Sequence, residues 1–188
     1  NTSVIFAGNS GTQGFINKYS RADGTTMASN VIDPGVGAGT ATVVKLIVNG
    51  SFIFVGGNYS NSTANIYVQR YDGLLVKKWS NIFDPSGNAS NSYFYDMALD
   101  TAGNPGVCGY YKYTSSINRA FITKYSKSTG NTPWTKKISI DYSEGRGISA
   151  DAAGNYICIL EASPFPRFYK FNNSNGAVLT HKSIFNNQ

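Results

Sequence analysis

An all-β architecture of repeated four-stranded antiparallel blades is predicted by three observations on this 188-residue sequence. First, a strand–turn–strand unit occurs four times, seen most fully in Phe121 to Asp141, FITKYSKSTGNTPWTKKISID. Second, the copies place Tyr19, Tyr71, Tyr125 and Phe171 in one role, followed by the turn glycines Gly24, Gly73, Gly130 and Gly176. Three copies then end on an aspartate, Asp33, Asp84 or Asp141. Third, charged residues make up only 14% of the chain and Glu occurs twice, while Gly, Asn, Ser, Thr and Tyr are plentiful, a composition for short strands and tight turns. A period of about 40–50 residues made of strand and turn is the signature of a β-propeller blade.

Taken in order, Ser3 to Gly8 reads as a strand, Asn9 to Gly14 as a polar loop, and Phe15 to Tyr19 as the next strand. A turn at Arg21–Gly24 leads to a strand ending near Asp33, and Pro34 to Gly39 is a connection. Its Gly-x-Gly spacing precedes a β-branched run and no helix, which excludes a phosphate-cradling loop. The second unit opens with Ala41 to Val48 and turns at Asn49-Gly50, where both turn positions favour positive φ. Ser51 to Gly56, Ile66 to Tyr71 and Leu74 to Phe83 complete it. The third unit begins with Tyr93 to Leu99 and turns at Asp100–Asn104; the fourth repeats that turn at Asp151–Asn155. Asp opening a Gly-Asn turn caps its own backbone amides, and EF-hand spacing is missing, so these positions read as turns and no metal site is expected.

The units fall at about 1–35 (partial), 38–88, 92–142 and 145–188, within a single propeller segment. With strands lettered A to D from the axis outward, the chain starts at B of the first unit and ends at D of the fourth near Phe185. This predicts about fifteen strands and an incomplete ring, whose further blades would come from a longer chain or a second copy.

No stretch has the roughly 18 apolar residues of a membrane helix, and membrane insertion is not expected. Asn1 reads as a start left by processing or by cloning. The net charge of +6 rests partly on Lys77, Lys78, Lys136, Lys137 and Lys182 in the last strands of their units, where lysine blocks edge-to-edge pairing. Nucleic acid is therefore not an expected partner. Cys108 and Cys158 are too few for a disulfide framework, and strand alternation points them to opposite faces, so both read as buried free thiols.

Little catalytic chemistry is legible. The single histidine, His181, lies in an outer strand, there is no second His for zinc, and no Gly-x-Ser-x-Gly elbow occurs. Candidate recognition residues are of two kinds. Asp33, Asp84 and Asp141 share a repeated position that would place them on one face, although Asp-Pro in two cases also fits simple turn capping. The B-to-C loops, GNYSNSTAN, GYYKYTSSINR and LEASPFPR, vary while the strands repeat, and sites live on such loops. They offer Tyr59, Tyr110, Tyr111, Lys112, Tyr113 and Arg119, residue types favoured at recognition surfaces, while plain coverage of blade surface by tyrosine is the alternative. Asn58, Asn61 and Asn88 fall in glycosylation-type triplets, which an Asn/Ser-rich chain also yields by chance.

FITKYSKSTGNTPW, with DTAGN or DAAGN before the next strand, resembles the bacterial β-propeller repeat family often called SBBP, and IYVQRYDGLLVKKW fits with its Trp displaced by two residues. The displacement keeps Trp79 on the same strand face as Trp134. The resemblance spans essentially the whole chain and implies a secreted or surface-associated bacterial protein, periplasm included, without a known reaction. A lesser similarity is to quinoprotein-like propellers, but their cofactor-surrounding cluster of carboxylates, basic residues and metal ligands is not recognisable here. The expectation is a non-enzymatic propeller without a cofactor, serving protein–protein interaction or structural assembly. The alternatives are a glycan-binding lectin-like propeller, then a quinone-cofactor enzyme.

Overall fold

The computed structural model describes residues 2–34, 39–85 and 91–184, and among them every regular element is a strand. The first sheet holds β1 (Ser3–Ser10), β2 (Gln13–Ser20) and β3 (Thr26–Ile32). The second holds β4 (Thr40–Asn49), β5 (Phe52–Ser60), β6 (Ala64–Tyr71) and β7 (Lys77–Phe83). The third comprises β8 (Ser92–Leu99), β9 (Pro105–Lys112), β10 (Asn118–Lys124) and β11 (Trp134–Lys137). The fourth comprises β12 (Ser143–Ala150), β13 (Tyr156–Ala162), β14 (Arg167–Phe171) and β15 (Val178–Ser183). Each sheet is an antiparallel meander, the blade of a β-propeller, and the first blade has three strands against four in the others. The chain forms two compact units, residues 1–83 with the first two blades and residues 84–188 with the last two.

Two hairpins depart from the expected turns. In the second blade Asn49 pairs with Phe52, so the two-residue loop is Gly50-Ser51 and only Gly50, at φ +60°, is left-handed. A glycine at the first loop position is the type II′ pattern, which matches the strand twist as well as the Asn-Gly type I′ turn would. The expected loop Asn9–Gly14 is likewise mostly strand: Ser10 pairs with Gln13 around a Gly11-Thr12 turn. Longer ladders satisfy more backbone groups, and a glycine in the turn permits them.

Gly24, Gly130 and Gly176 all have positive φ and donate their N–H to the carbonyl four residues back. The second blade differs, because its turn is one residue shorter and Leu75, not Gly73, adopts φ +60°. Leu75 is buried in the core of the first unit, so packing offsets the strain.

The register confirms the equivalence of the two tryptophans. Trp79 pairs with Arg70 and Trp134 with Lys124, each residue preceding its blade's repeated tyrosine. Trp134 is the more deeply seated. It meets the Tyr156 ring edge-on at 5.9 Å and donates from Nε1 to the Asn173 carbonyl at 3.0 Å. A Cβ on Gly176 would lie 2.6 Å from its ring, so Gly176 makes room for it. Phe121, Ile122 and Tyr125 are fully buried in the same blade, and Ile122 shares the apolar cluster of Trp134. A basic side chain adds a second tie between neighbouring blades: Lys124 reaches the Asn173 carbonyl at 3.1 Å, and Lys18 reaches the Gly73 carbonyl at 2.6 Å.

The two cysteines are free and buried, yet alternation has a consequence opposite to the expected separation. Opposite faces of adjacent blades are the faces that meet, so Cys108 and Cys158 share one apolar cluster in the second unit. Burial, then the hydrogen bond shared with Cys158, pushes the Cys108 thiol well above its ordinary pKa, and Cys108 Sγ donates to the Gly145 carbonyl at 3.3 Å. The Cys108 thiol is thereby kept protonated and inert.

The Asp100 and Asp151 turns are closely alike. Oδ1 of each accepts the amide of Asn104 or Asn155, at 2.8 and 2.9 Å, and Oδ2 pairs with Lys124 at 3.0 Å or Lys170 at 2.7 Å. Lys77, Lys78, Lys137 and Lys182 are exposed on the outermost strands, as edge protection requires, and Lys136 is half-buried.

Trp134→Ala should cost about 3–5 kcal/mol in chemical denaturation, because it empties a site that Gly176 cannot refill. Acid should also weaken the fold through the paired aspartates. The ion pair with Lys170 lowers the Asp151 pKa to about 2 against its burial. At Asp100 burial acts upward, but the bonds from Asn104 and Lys124 outweigh it and the pKa is again lowered. Stability from a depressed carboxyl is complete above the unfolded value near 3.8 and is lost as pH falls toward the folded one. Melting temperature should therefore decline as pH falls from about 4 toward 2, and the double variant Asp100→Asn/Asp151→Asn should flatten that decline.

Candidate functional site

The inner strands carry a shared irregularity. In β4, β8 and β12 one residue is skipped by the register, Val44, Tyr95 and Arg146 respectively, and these lie at equal intervals in the sequence. Such a β-bulge re-aims a side chain away from the packed alternation. The neighbouring strand comes very close there: a Cβ on Gly57 or Gly109 would sit 1.9 Å from the carbonyl of Thr42 or Tyr93. Glycine fills this close approach on β5 and β9, while Leu160 holds the equivalent position on β13.

In the second unit the bulged residues start a cluster of polar and aromatic side chains. Arg146 stacks its guanidinium 4.5 Å from the centre of the Tyr95 ring. Its Nη2 pairs with Glu144 Oε2 at 2.8 Å and its Nε with Glu161 Oε2 at 2.6 Å. Glu144 also accepts from the Tyr95 hydroxyl at 3.0 Å and from the Asn118 amide at 2.6 Å. Burial, and then the bond to Glu144, raises the Tyr95 pKa well above its ordinary value, so the hydroxyl stays a donor. Tyr93 and Tyr110 stack at 4.8 Å beside Tyr95. A cleft of about 300 Å³ opens over this cluster, lined by Asn118, Tyr142, Glu144, Arg146, Glu161 and Ser163 among others.

Tyr142 stands at this cleft with its side chain exposed (60%) and its backbone at φ +57°. A bulky residue in the left-handed region is uncommon, and strain of this kind gathers at functional sites. Leu75, the other described non-glycine residue with positive φ, is buried; Tyr142 has no such packing return.

The structure separates the residues expected to act together. Tyr59 is on β5, not in a loop, and is 3% exposed in the core of the first unit. Pairing of Tyr59 with Asn65 and of Ser60 with Ala64 consumes most of the predicted loop. Tyr110, Tyr111 and Lys112 similarly belong to β9, and Arg119 to β10. Alternation then divides them. Tyr110 joins the cleft cluster, whereas Tyr111 is buried on the other face with the Lys137 ammonium 5.3 Å from its ring. Tyr113 is exposed and carries the Arg119 guanidinium 3.5 Å above its ring; Arg119 Nε bonds Asp141 at 2.7 Å. That ion pair, against the cost of burial, raises the Arg119 pKa further. Lys112 is half-buried.

Asp33 and Asp84 bond to the blade that follows them, and only Asp141 bonds within its own. The Asp33 carbonyl accepts from Gln69 at 2.6 Å and Lys77 at 2.9 Å, and Asp33 lines a cleft of about 380 Å³ with Tyr59. Asp84 Oδ1 accepts the Ser92 hydroxyl at 3.1 Å, tying the blade's entry to its inner strand. Asp141 is taken by Arg119. Among the described residues no group of three or more His, Cys, Asp or Glu could hold a metal ion. His181 is exposed on β15 and stacks on Tyr169 at 5.1 Å. Asn58 is half-buried on β5, Asn61 is exposed, and Asn88 lies outside the described residues.

Glu144, Arg146 and Tyr142 were missed by the sequence reading. The signal for Arg146 was the 51-residue offset that aligns SYFYDMALD with SEGRGISAD and puts Tyr95 over Arg146.

Tyr111 and Tyr113, both candidate recognition residues from the sequence, therefore differ in what they contribute to stability. Tyr111→Ser should lower the melting temperature, while Tyr113→Ser should leave it within about 0.5 kcal/mol of unchanged stability by thermal unfolding.

No protein-family model matches the sequence, and no curated protein matches it. Solved structures do. A Bacteroides caccae protein of unknown function is similar with a TM-score of 0.55 and 13% identity, over 97% of this chain and 58% of its own. The quinohemoprotein alcohol dehydrogenase of Comamonas testosteroni is similar with a TM-score of 0.60 and 15% identity, over 92% of this chain and 34% of its own. The chain thus spans a little over half and about a third of these two structures. At this identity the likeness is one of fold, and with the meandering blades it makes the chain an all-β, propeller-like protein.

Proposed function

We propose that this chain is a non-enzymatic recognition segment of a β-propeller, and that its ligand engages the cleft bounded by Tyr142, Glu144, Arg146 and Glu161. The observation that carries this reading is Tyr142, an exposed aromatic held at φ +57° above an ordered polar cluster. A residue that neither packs nor relaxes its backbone is retained for what it touches outside the fold. Binding fits this cluster better than catalysis. Glu144 has three donors on its oxygens and Glu161 is exposed, whereas a general acid is tuned by an apolar pocket. The likeness to an alcohol dehydrogenase carries its fold and nothing of its chemistry to this chain.

The setting we propose is a secreted or surface-exposed bacterial protein, in keeping with the charge-poor, Asn- and Tyr-rich composition and the SBBP-like repeats. Further blades would come from a longer parent chain, as the three-stranded first blade suggests. Protein binding and structural assembly remain the broader form of the reading, with Tyr113, Arg119 and Asp141 as a second contact patch on the same unit.

The reading requires the cluster to be dispensable for stability. Tyr142→Gly should raise stability by about 0.5–1 kcal/mol, since glycine adopts positive φ without cost. Arg146→Ala should leave the melting temperature nearly unchanged. Thermal unfolding of both variants decides: a clear loss in either would make the cluster structural and end the proposal.

A further inference from the structure

We propose that the cleft beneath Tyr142 binds a neutral saccharide. This rests on the recognition reading above and adds the ligand's chemical class.

The lining selects that class by elimination. Two carboxylates and one guanidinium leave the cleft with an excess of negative charge, so phosphates, sulfates, uronates and nucleic acid are repelled. A divalent cation finds Glu144 and Glu161 already bridged by the Arg146 guanidinium. An apolar ligand would strip water from Glu144, Arg146 and Glu161 with nothing to replace it. A sugar meets every demand at once. Its hydroxyls both donate and accept, so one ring can give hydrogen bonds to Glu161 and receive them from Arg146. Its C–H face can lie on an aromatic ring, and Tyr142 presents one, 60% exposed, at the cleft.

The polar groups are also fixed in advance, which lowers the entropy cost of weak polar binding. Arg146 is held from three sides, by the Tyr95 ring, Glu144 and Glu161. Glu144 is held by Tyr95 and Asn118. Asn118 contributes one more feature: its Oδ1 is buried without a hydrogen-bond partner beside the cleft. An unsatisfied buried acceptor is costly, and a small rotation of the amide would offer it to a ligand hydroxyl. The cleft's volume of about 300 Å³ suits a short oligosaccharide end and not an extended chain.

The test uses the 188-residue chain with neutral trisaccharides built of glucose, galactose, mannose and N-acetylglucosamine. Trigalacturonic acid serves as the anionic probe and a tri-lysine peptide as the cationic one. Saturation-transfer NMR followed by calorimetric titration should find at least one neutral sugar bound and no binding of trigalacturonic acid. Tyr142→Gly and Arg146→Ala should each weaken that sugar by about tenfold or more, while Lys182→Ala, far out on β15, should not change it. Silence across the neutral panel, a preference for the acidic sugar or the peptide, or unchanged affinity in Tyr142→Gly would overturn the proposal. If the variants keep their melting temperature while sugars fail, the saccharide class is wrong and the recognition reading stands. If the variants unfold, the recognition reading falls first.

Discussion

Adjacent blades hold together because large side chains of one sheet lie flat against small or glycine positions of the next. In the second unit Trp134 covers Gly176 and meets Tyr156, and the Tyr156 ring in turn leaves no room for a Cβ on Gly106. The Tyr156 hydroxyl donates to the Asn104 carbonyl at 2.7 Å, so even the polar edge of the ring is used between blades. Lysines placed before the repeated tyrosines add a bond to the neighbouring turn, Lys18 to Gly73 and Lys124 to Asn173. Each of these hydrogen bonds joins residues about fifty positions apart, in two different blades, so none can form within one blade alone. Blade pairs are therefore the smallest stable assembly, consistent with two compact units of two blades each.

That dependence explains what the sequence conveyed well. Repeated contacts force repeated residues, so Tyr19, Tyr71, Tyr125, Phe171 and the turn glycines stood out by period alone. The Asp100 and Asp151 turns were readable because Asp, Gly and Asn each have one mechanical duty there. The three-strand first blade was also legible, since strand phase survives in the pattern.

The candidate site was less legible, for physical reasons. Tyr59, Tyr110 and Tyr111 were assigned to loops because polar, tyrosine-rich segments look irregular, yet backbone pairing drew them into β5 and β9. Once in a strand, neighbours part company, and Tyr110 and Tyr111 serve opposite faces. The bulges at Val44, Tyr95 and Arg146 defeat a period-of-two reading, because one residue is added without changing its neighbours' types. The pairing of Cys108 with Cys158 was hidden by treating each blade alone, when it is the facing of two blades that brings them together.

The inner-strand bulge has a consequence for how such a protein diversifies. Valine, tyrosine and arginine occupy the same skipped position in three blades of one fold, and the ladder on either side is unaffected by which is present. The opposing residue is glycine on β5 and β9 and Leu160 on β13, so the bulge tolerates variation there too. A change at the skipped position therefore leaves the backbone ladder in register while it alters the chemistry presented beside the inner strands. The skipped position is thus one place in the blade where the ladder leaves the side chain unspecified.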